Sequence, residues 1–386
     1  MSATRMKEPP LWLLCFGFVV CGIVTVLPGP LLPVLAARWG LRDVQSGMFF
    51  AVEFAASTIA AILAPRRMRW SLPRGYALMT VGVLLLAVAA RAVNPSTGNE
   101  LALGAFTLIG FGIGLSVTAT NLLVGAAPKE ERARRLSVVN LWWGIGAVGC
   151  PWMVAVAERS GDLRALVAVL GLASCVVFVA LLPLKEEMRA PAASKSLTGD
   201  GVVLGYFAVL LFLYVGVESA VGGWIATYTN RFSAMTLIHA SVMVSVYWLA
   251  LLAGRGLGSI ALRRVPERAV MVPGLAMSLT AVTILVTPHS EIMVVAAVAI
   301  AGFGFGPVFP IGVSRLLTRV TDSRNTGWVF ATCASGGAVL PWLTGLVSTR
   351  SGSLRIGFAV PLIALALILL MALAENAILE DDGAKS

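Results

Sequence analysis

The chain has 386 residues, of which 58% are hydrophobic and 12% charged, with mean hydropathy +0.89 and a formal net charge of +10. Soluble domains carry roughly 45–50% apolar residues, so this composition excludes a chain folded mainly against water. Repeated apolar runs of about 20 residues point to an all-α integral membrane protein, and the roughly ten-residue alternating strands of a membrane barrel are missing.

Twelve transmembrane helices are expected, near 10–37, 44–65, 72–92, 100–126, 135–157, 163–184, 202–229, 236–262, 269–287, 291–318, 325–348 and 354–376. The first run continues through Pro28-Gly29-Pro30 to Leu35 without a small-residue cleavage site, which reads as a retained helix rather than a signal peptide. Span 2 carries Glu53 near its middle. Span 4 holds closely spaced glycines and, on the same face as Gly110 and Gly114, Asn121. Span 5 places Asn140 beside Trp142 and Trp143. A polar stretch from Lys185 to Asp200 then reads as a surface connection, dividing the chain into bundles at 1–184 and 201–386.

Span 7 carries Tyr214, Glu218, Gly222 and Thr229 within about 40° of one line at ~100° per residue, a polar stripe suited to a wet cavity. Span 8 holds Arg255, about two turns from its inner end. His239 and His289 stand at predicted outer helix ends in no metal or acid-base motif, and the five cysteines lie in apolar runs without ligand spacing. No cofactor and no metal are expected.

Ionisable groups inside spans are costly, so Glu53, Glu218 and Arg255 are functional candidates. A carboxyl that is neutral in apolar surroundings and ionised in a wet cavity can couple protonation to conformation, which makes Glu218 and Glu53 the proton-coupling candidates. The competing readings are structural: an ion pair between Glu218 and Arg255, a gating role for Glu53, and snorkelling of Arg255. Asn121 and Asn140 supply donors and acceptors, and Trp143, Tyr214, Trp224 and Tyr228 supply polar tips and flat faces, for a solute site. Packing and interface roles compete for each aromatic.

The basic residues fall in alternate loops. Twenty of the 29 Lys and Arg lie in seven segments on one side, 8 lie in the six opposite segments, and Arg255 lies inside a span. That asymmetry places both termini in the cytoplasm and removes any need for a nucleic-acid partner. The halves also repeat at an offset of about 191 residues. Gly110-Phe111-Gly112-Ile113-Gly114 matches Gly302-Phe303-Gly304-Phe305-Gly306; Gly146-Ala147-Val148 and Pro151-Trp152 match Gly337-Ala338-Val339 and Pro341-Trp342. An even period of six spans implies two pseudo-symmetric, parallel six-helix bundles, the architecture of the major facilitator superfamily. Pro28, Pro30, Pro307 and Pro310 are expected to break their helices.

Leu213-Tyr214-Val215-Gly216-Val217-Glu218, followed by Gly223-Trp224-Ile225 and Tyr228, resembles the span 7 signature of the fucose:proton symporter family. Gly254-Arg255 with Gly258, Gly306-Pro307-Val308-Phe309-Pro310, and Gly336-Gly337-Ala338 with Pro341 are similar to its helices 8, 10 and 11. The resemblance implies uptake of a neutral sugar by alternating access, driven by protons or in some branches by sodium. A multi-pass bacterial inner-membrane protein in the lipid bilayer is expected, and because one chain with both halves needs no partner to form the pathway, it is expected to work as a monomer. The acids that the family places in helices 1 and 4 match Gly29 and Ser116 here, so coupling is expected to move to Glu218 or Glu53. The alternative is an exporter of drugs, metabolites or lipids by proton antiport. A membrane enzyme is disfavoured because no clustered acids, histidines or phosphate loop are visible.

Overall fold

The computed structural model describes residues 9–125, 129–160, 164–184, 201–233, 235–287, 290–319 and 323–380. The expected connection at 185–200 and His289 lie outside the described residues. Among the described residues the regular structure is helical throughout, with no strand. Apolar solvent explains this, because every buried N–H and C=O must find a partner within its own segment.

The helices are α1 (Leu11–Val26), α2 (Pro28–Trp39), α3 (Asp43–Leu63), α4 (Met68–Ala89), α5 (Pro95–Gly125), α6 (Lys129–Arg159) and α7 (Arg164–Leu181). They continue with α8 (Gly201–Phe232), α9 (Leu237–Ala261), α10 (Glu267–Val286), α11 (Glu291–Phe305), α12 (Val308–Arg319), α13 (Ser323–Ser351), α14 (Leu354–Gly357) and α15 (Ala359–Glu380). Among the described residues, eleven helical segments are long and apolar enough to cross a membrane, and Ala165–Leu181 is a shorter apolar helix. Two of the eleven are jointed. Leu11–Trp39 combines α1 with α2, and Glu291–Arg319 combines α11 with α12.

Both joints have the same cause. Pro28 and Pro307 lack an N–H, so the helical ladder loses a bond at each. At the second joint Gly306 donates its N–H to both Gly302 and Phe303, each at 3.2 Å, a shared bond that tightens the last turn of α11 before Pro307. At the first, Leu27 still donates to Ile23 at 3.0 Å, and α2 starts with Pro28 in its first turn, where a missing donor does no harm.

The chain divides into two compact units, Met1–Gly40 with Val52–Ala192, and Leu41–Ala51 with Ala193–Ser386. The division at 192 falls within the connection expected from the sequence. The first residues of α3 belong to the second unit, and the site geometry below gives the reason.

In the first unit α1 packs on α6, and α4 packs on α5 and α7. Glycines set how closely they approach. A Cβ on Gly110 or Gly114 of α5 would collide with the α3 backbone at Glu53 and Ser57, whereas one on Gly112 would collide with α4 at Gly75 and Met79. In the second unit α8 packs on α13, and α11 packs on α9 and α10. There Gly302 and Gly306 of α11 face the α9 backbone at Tyr247 and Gly254, whereas Gly304 faces α10 at Gly274. The three alternating glycines of each motif therefore serve two crossings, with the outer pair against one helix and the middle one against another. Without a strong hydrophobic force between helices in lipid, such close backbone contact supplies the dispersion energy of association.

Candidate functional site

In the second unit, spacing of i and i+4 puts Tyr214 and Glu218 on one face of α8. The Tyr214 hydroxyl lies 3.0 Å from Glu218 Oε1 and 2.9 Å from the Phe305 carbonyl, so its single proton is shared between two acceptors. From α9, Arg255 Nη2 donates to the same Oε1 at 3.0 Å, while the Tyr247 hydroxyl donates to the Glu218 backbone carbonyl at 3.0 Å. The Glu218 and Arg255 side chains retain 12% and 30% of their accessible surface, so this is a largely desolvated pair.

Arg255 reaches Glu218 because α9 and α11 touch through glycine. A Cβ on Gly306 would come within 2.5 Å of the Arg255 nitrogen and one on Gly254 would strike Phe303. The same approach carries the Phe305 carbonyl to Tyr214, whose ring packs edge-on to Phe305 with centroids 6.2 Å apart. One turn of the Tyr214-Val-Gly-Val-Glu218 sequence thus becomes a fixed hydrogen-bonded cluster spanning α8, α9 and α11. Cys333 of α13 lies within electrostatic range of Glu218.

Of the residues expected to touch a solute, Tyr214, Trp224 and Tyr228 have their polar atoms engaged inside the second unit and are buried. The Trp224 indole N–H donates to the Pro341 carbonyl at 2.9 Å, and the Tyr228 hydroxyl donates to the Leu285 carbonyl. Tyr228 also stacks against Phe232 and Phe358. Helical projection puts polar tips on one stripe, but it does not reveal which neighbouring carbonyls those tips will find.

The first unit is organised differently. Glu53 of α3 is 1% exposed, and neither carboxyl oxygen has a hydrogen-bond partner among the described residues. Asn121 of α5 is half-buried. Asn140 of α6 is exposed and donates its amide N–H to the Leu136 carbonyl at 2.8 Å. Trp143 is half-buried, and its backbone carbonyl abuts Gly22 of α1. Ser116 and Thr120 of α5 bury hydroxyls that have no hydrogen-bond partner among the described residues. His239 is exposed in the first turn of α9, where its backbone N–H is capped by the Thr236 hydroxyl.

One cluster was not singled out by the sequence reading. Asp43, 7% exposed, accepts two bonds from Arg231, Nη1 to Oδ2 at 2.7 Å and Nη2 to Oδ1 at 2.6 Å, and a third from the Ser348 hydroxyl at 2.5 Å. The Thr349 hydroxyl accepts the Val44 N–H at 2.8 Å. This fork-on-fork pairing ties the start of α3 to α8 and α13 and explains why residues 41–51 fall within the second unit. Asp43 and Arg231 both read as ordinary helix-end charges, and a separation of 188 positions gives no local signal of their pairing. Asp43→Asn is expected to lower stability by about 1–2 kcal/mol, more than Ser348→Ala, because it removes a charge from a bidentate pair whose arginine is partly exposed. Thermal unfolding of the purified variants checks the order.

Long apolar helices, two of them jointed at proline, with ionisable groups held inside them, define a polytopic helical membrane protein. The chain belongs to the Major Facilitator Superfamily, whose family model matches residues 14–324. It is 25% identical over 383 residues to the glucose/galactose transporter of Brucella abortus biovar 1 (strain 9-941), covering 91% of this chain and 90% of that one. It is 23% identical over 390 residues to a putative glucose/galactose transporter of Helicobacter pylori (strain ATCC 700392 / 26695), covering 92% and 94%. Among solved structures it resembles a variant of the nucleoside transporter NupG, with TM-score 0.72 and 14% identity over 96% of this chain and 99% of that one. It also resembles the E. coli fucose:proton symporter, with TM-score 0.61 and 18% identity over 95% and 98%. These two structural likenesses show a shared fold. The protein is a multi-pass membrane transporter, not an enzyme.

Proposed function

We propose that the chain is a proton-coupled symporter that carries a neutral, hexose-like sugar across the bacterial inner membrane by alternating access. The observation that carries this reading is the full-length likeness to glucose/galactose transporters, which covers nine-tenths or more of each chain in both cases described. Carboxyl groups buried within helices of the membrane-spanning type supply groups able to take up a proton.

In this reading twelve spans form two parallel six-helix repeats, with α7 counted as the sixth crossing. The matching use of Gly110, Gly112 and Gly114 and of Gly302, Gly304 and Gly306 supports the repeat. Both termini are cytoplasmic, as the loop charges require, and one chain in the lipid bilayer is the working unit. Asn121, Asn140 and Trp143 are assigned to the solute, since an amide can both donate to and accept from sugar hydroxyls and an indole face covers a pyranose ring. Tyr214, Trp224 and Tyr228 serve the second unit as a framework whose hydrogen bonds are already made.

Purified protein in proteoliposomes is expected to accumulate radiolabelled D-galactose or D-glucose when an inward proton gradient is imposed, and to stop when a protonophore is added. Accumulation driven equally by sodium without a proton gradient would replace the proton with sodium. Solute loss from preloaded vesicles under an inward proton gradient would establish the antiport alternative. Asn121→Ala is expected to raise KM for the sugar by about tenfold, the loss of one or two hydrogen bonds to a bound hydroxyl.

A further inference from the structure

Glu53 of α3 and Glu218 of α8 both lie near the middle of their helices, and they differ in one decisive respect. Glu218 has a cation, Arg255 Nη2 at 3.0 Å, and a phenol, Tyr214 at 3.0 Å, on the same oxygen. Glu53 is more deeply buried, at 1% exposure, and among the described residues neither a cation nor a hydrogen-bond donor meets either oxygen.

The neighbours of Glu53 explain its isolation. From α5, Gly110 has no side chain to offer and lies against the Glu53 backbone, and one turn on Gly114 lies against Ser57. From α6, Cys150, fully buried, lies within electrostatic range of Glu53. A thiol is a weak donor and carries no positive charge, so it does not replace an arginine. A carboxylate without donor or counter-charge is not sustained in apolar surroundings, whereas a carboxylic acid is.

From this division we infer that Glu53, not Glu218, binds the transported proton, while Glu218 remains charged against Arg255 throughout the cycle. The inference rests on the symport reading above. When water reaches Glu53 from the outside, its carboxylate takes one proton from hydronium and releases water. The neutral acid then withstands burial as found here, and on hydration from the inside it returns the proton to water. One proton moves per cycle and no other group changes charge. Cys150 and the bare glycine face of α5 are then a fitted environment, because an arginine or lysine at either position would stabilise the carboxylate and abolish the cycle.

The test uses Glu53→Gln, a fixed mimic of the neutral acid, with Glu53→Asp as the conservative variant and Glu218→Gln for comparison. In proteoliposomes, Glu53→Gln is expected to keep D-galactose exchange without a gradient within about twofold of wild type, while gradient-driven accumulation falls at least about tenfold. Glu53→Asp should restore part of the accumulation. Infrared difference spectra of purified wild type against Glu53→Gln should show a protonated-carboxyl C=O band at neutral pH, a readout that needs no solute. Accumulation by Glu53→Gln equal to wild type, equal loss of exchange and accumulation, or a band that disappears with Glu218→Gln instead would each overturn the inference. Wild-type vesicles that exchange galactose but ignore the proton gradient would overturn the symport reading, and the infrared band would still decide where the proton sits.

Discussion

Glu218→Gln and Arg255→Met should each destabilise the purified protein by about 2–3 kcal/mol, and the double variant should lose much less than their sum. Either single change strands a charge in a place where water hardly reaches, since the Glu218 side chain is 12% exposed and the Arg255 side chain 30%. Burying an unpaired ion costs more than the pair itself contributes, so removing the second partner relieves most of the damage done by removing the first. The residual exposure of Arg255 sets the expectation at the lower end of the range for buried pairs. A double-mutant cycle on unfolding midpoints measures the coupling directly. Strict additivity would mean that water screens the pair in solution and that the cluster of Tyr214, Glu218 and Arg255 does not lock α8 to α9.

The second large effect concerns backbone contact. A Cβ on Gly336 of α13 would collide with the Phe212 carbonyl of α8, and one on Gly146 of α6 would collide with the Val19 carbonyl of α1. Neither neighbour is a flexible side chain that can swing away, so the helices themselves must separate. Gly146→Ala and Gly336→Ala are expected to cost about 2–3 kcal/mol each, and Gly336→Leu to prevent recovery of folded protein. Gly149, three residues from Gly146 in α6, has open space where its Cβ would be. Gly149→Ala should therefore be neutral or stabilise by up to about 1 kcal/mol, through the better helix propensity of alanine. Unfolding of the three alanine variants in one detergent separates a packing requirement from a general aversion to substitution in α6.

The pairing of α1 with α6 and of α8 with α13 links these glycines to the jointed helices. Each pair brings together the first span of its unit and one four spans later, by backbone contact at a small residue. At these glycines the contact is close van der Waals packing against backbone rather than a directed bond. The ion pair of Asp43 with Arg231 works in the opposite sense, holding the start of α3 by three directed bonds.

Much of this was present in the order of residues alone. Long apolar runs determined the helical membrane class, because a bilayer leaves no other way to satisfy the backbone across such lengths. The glycine motifs around Gly112 and Gly304, the proline joints at Pro28 and Pro307, and the mid-span positions of Glu53 and Glu218 were equally legible, being properties of a single segment. Only the tertiary structure decided which of the two acids received the arginine, that Trp224 and Tyr228 would spend their polar atoms on Pro341 and Leu285, and that Asp43 would meet Arg231 and Ser348. Periodicity tells which face of a helix is polar; a salt bridge or a buried hydrogen bond depends on which other face arrives opposite it, and that is set by the packing of distant helices.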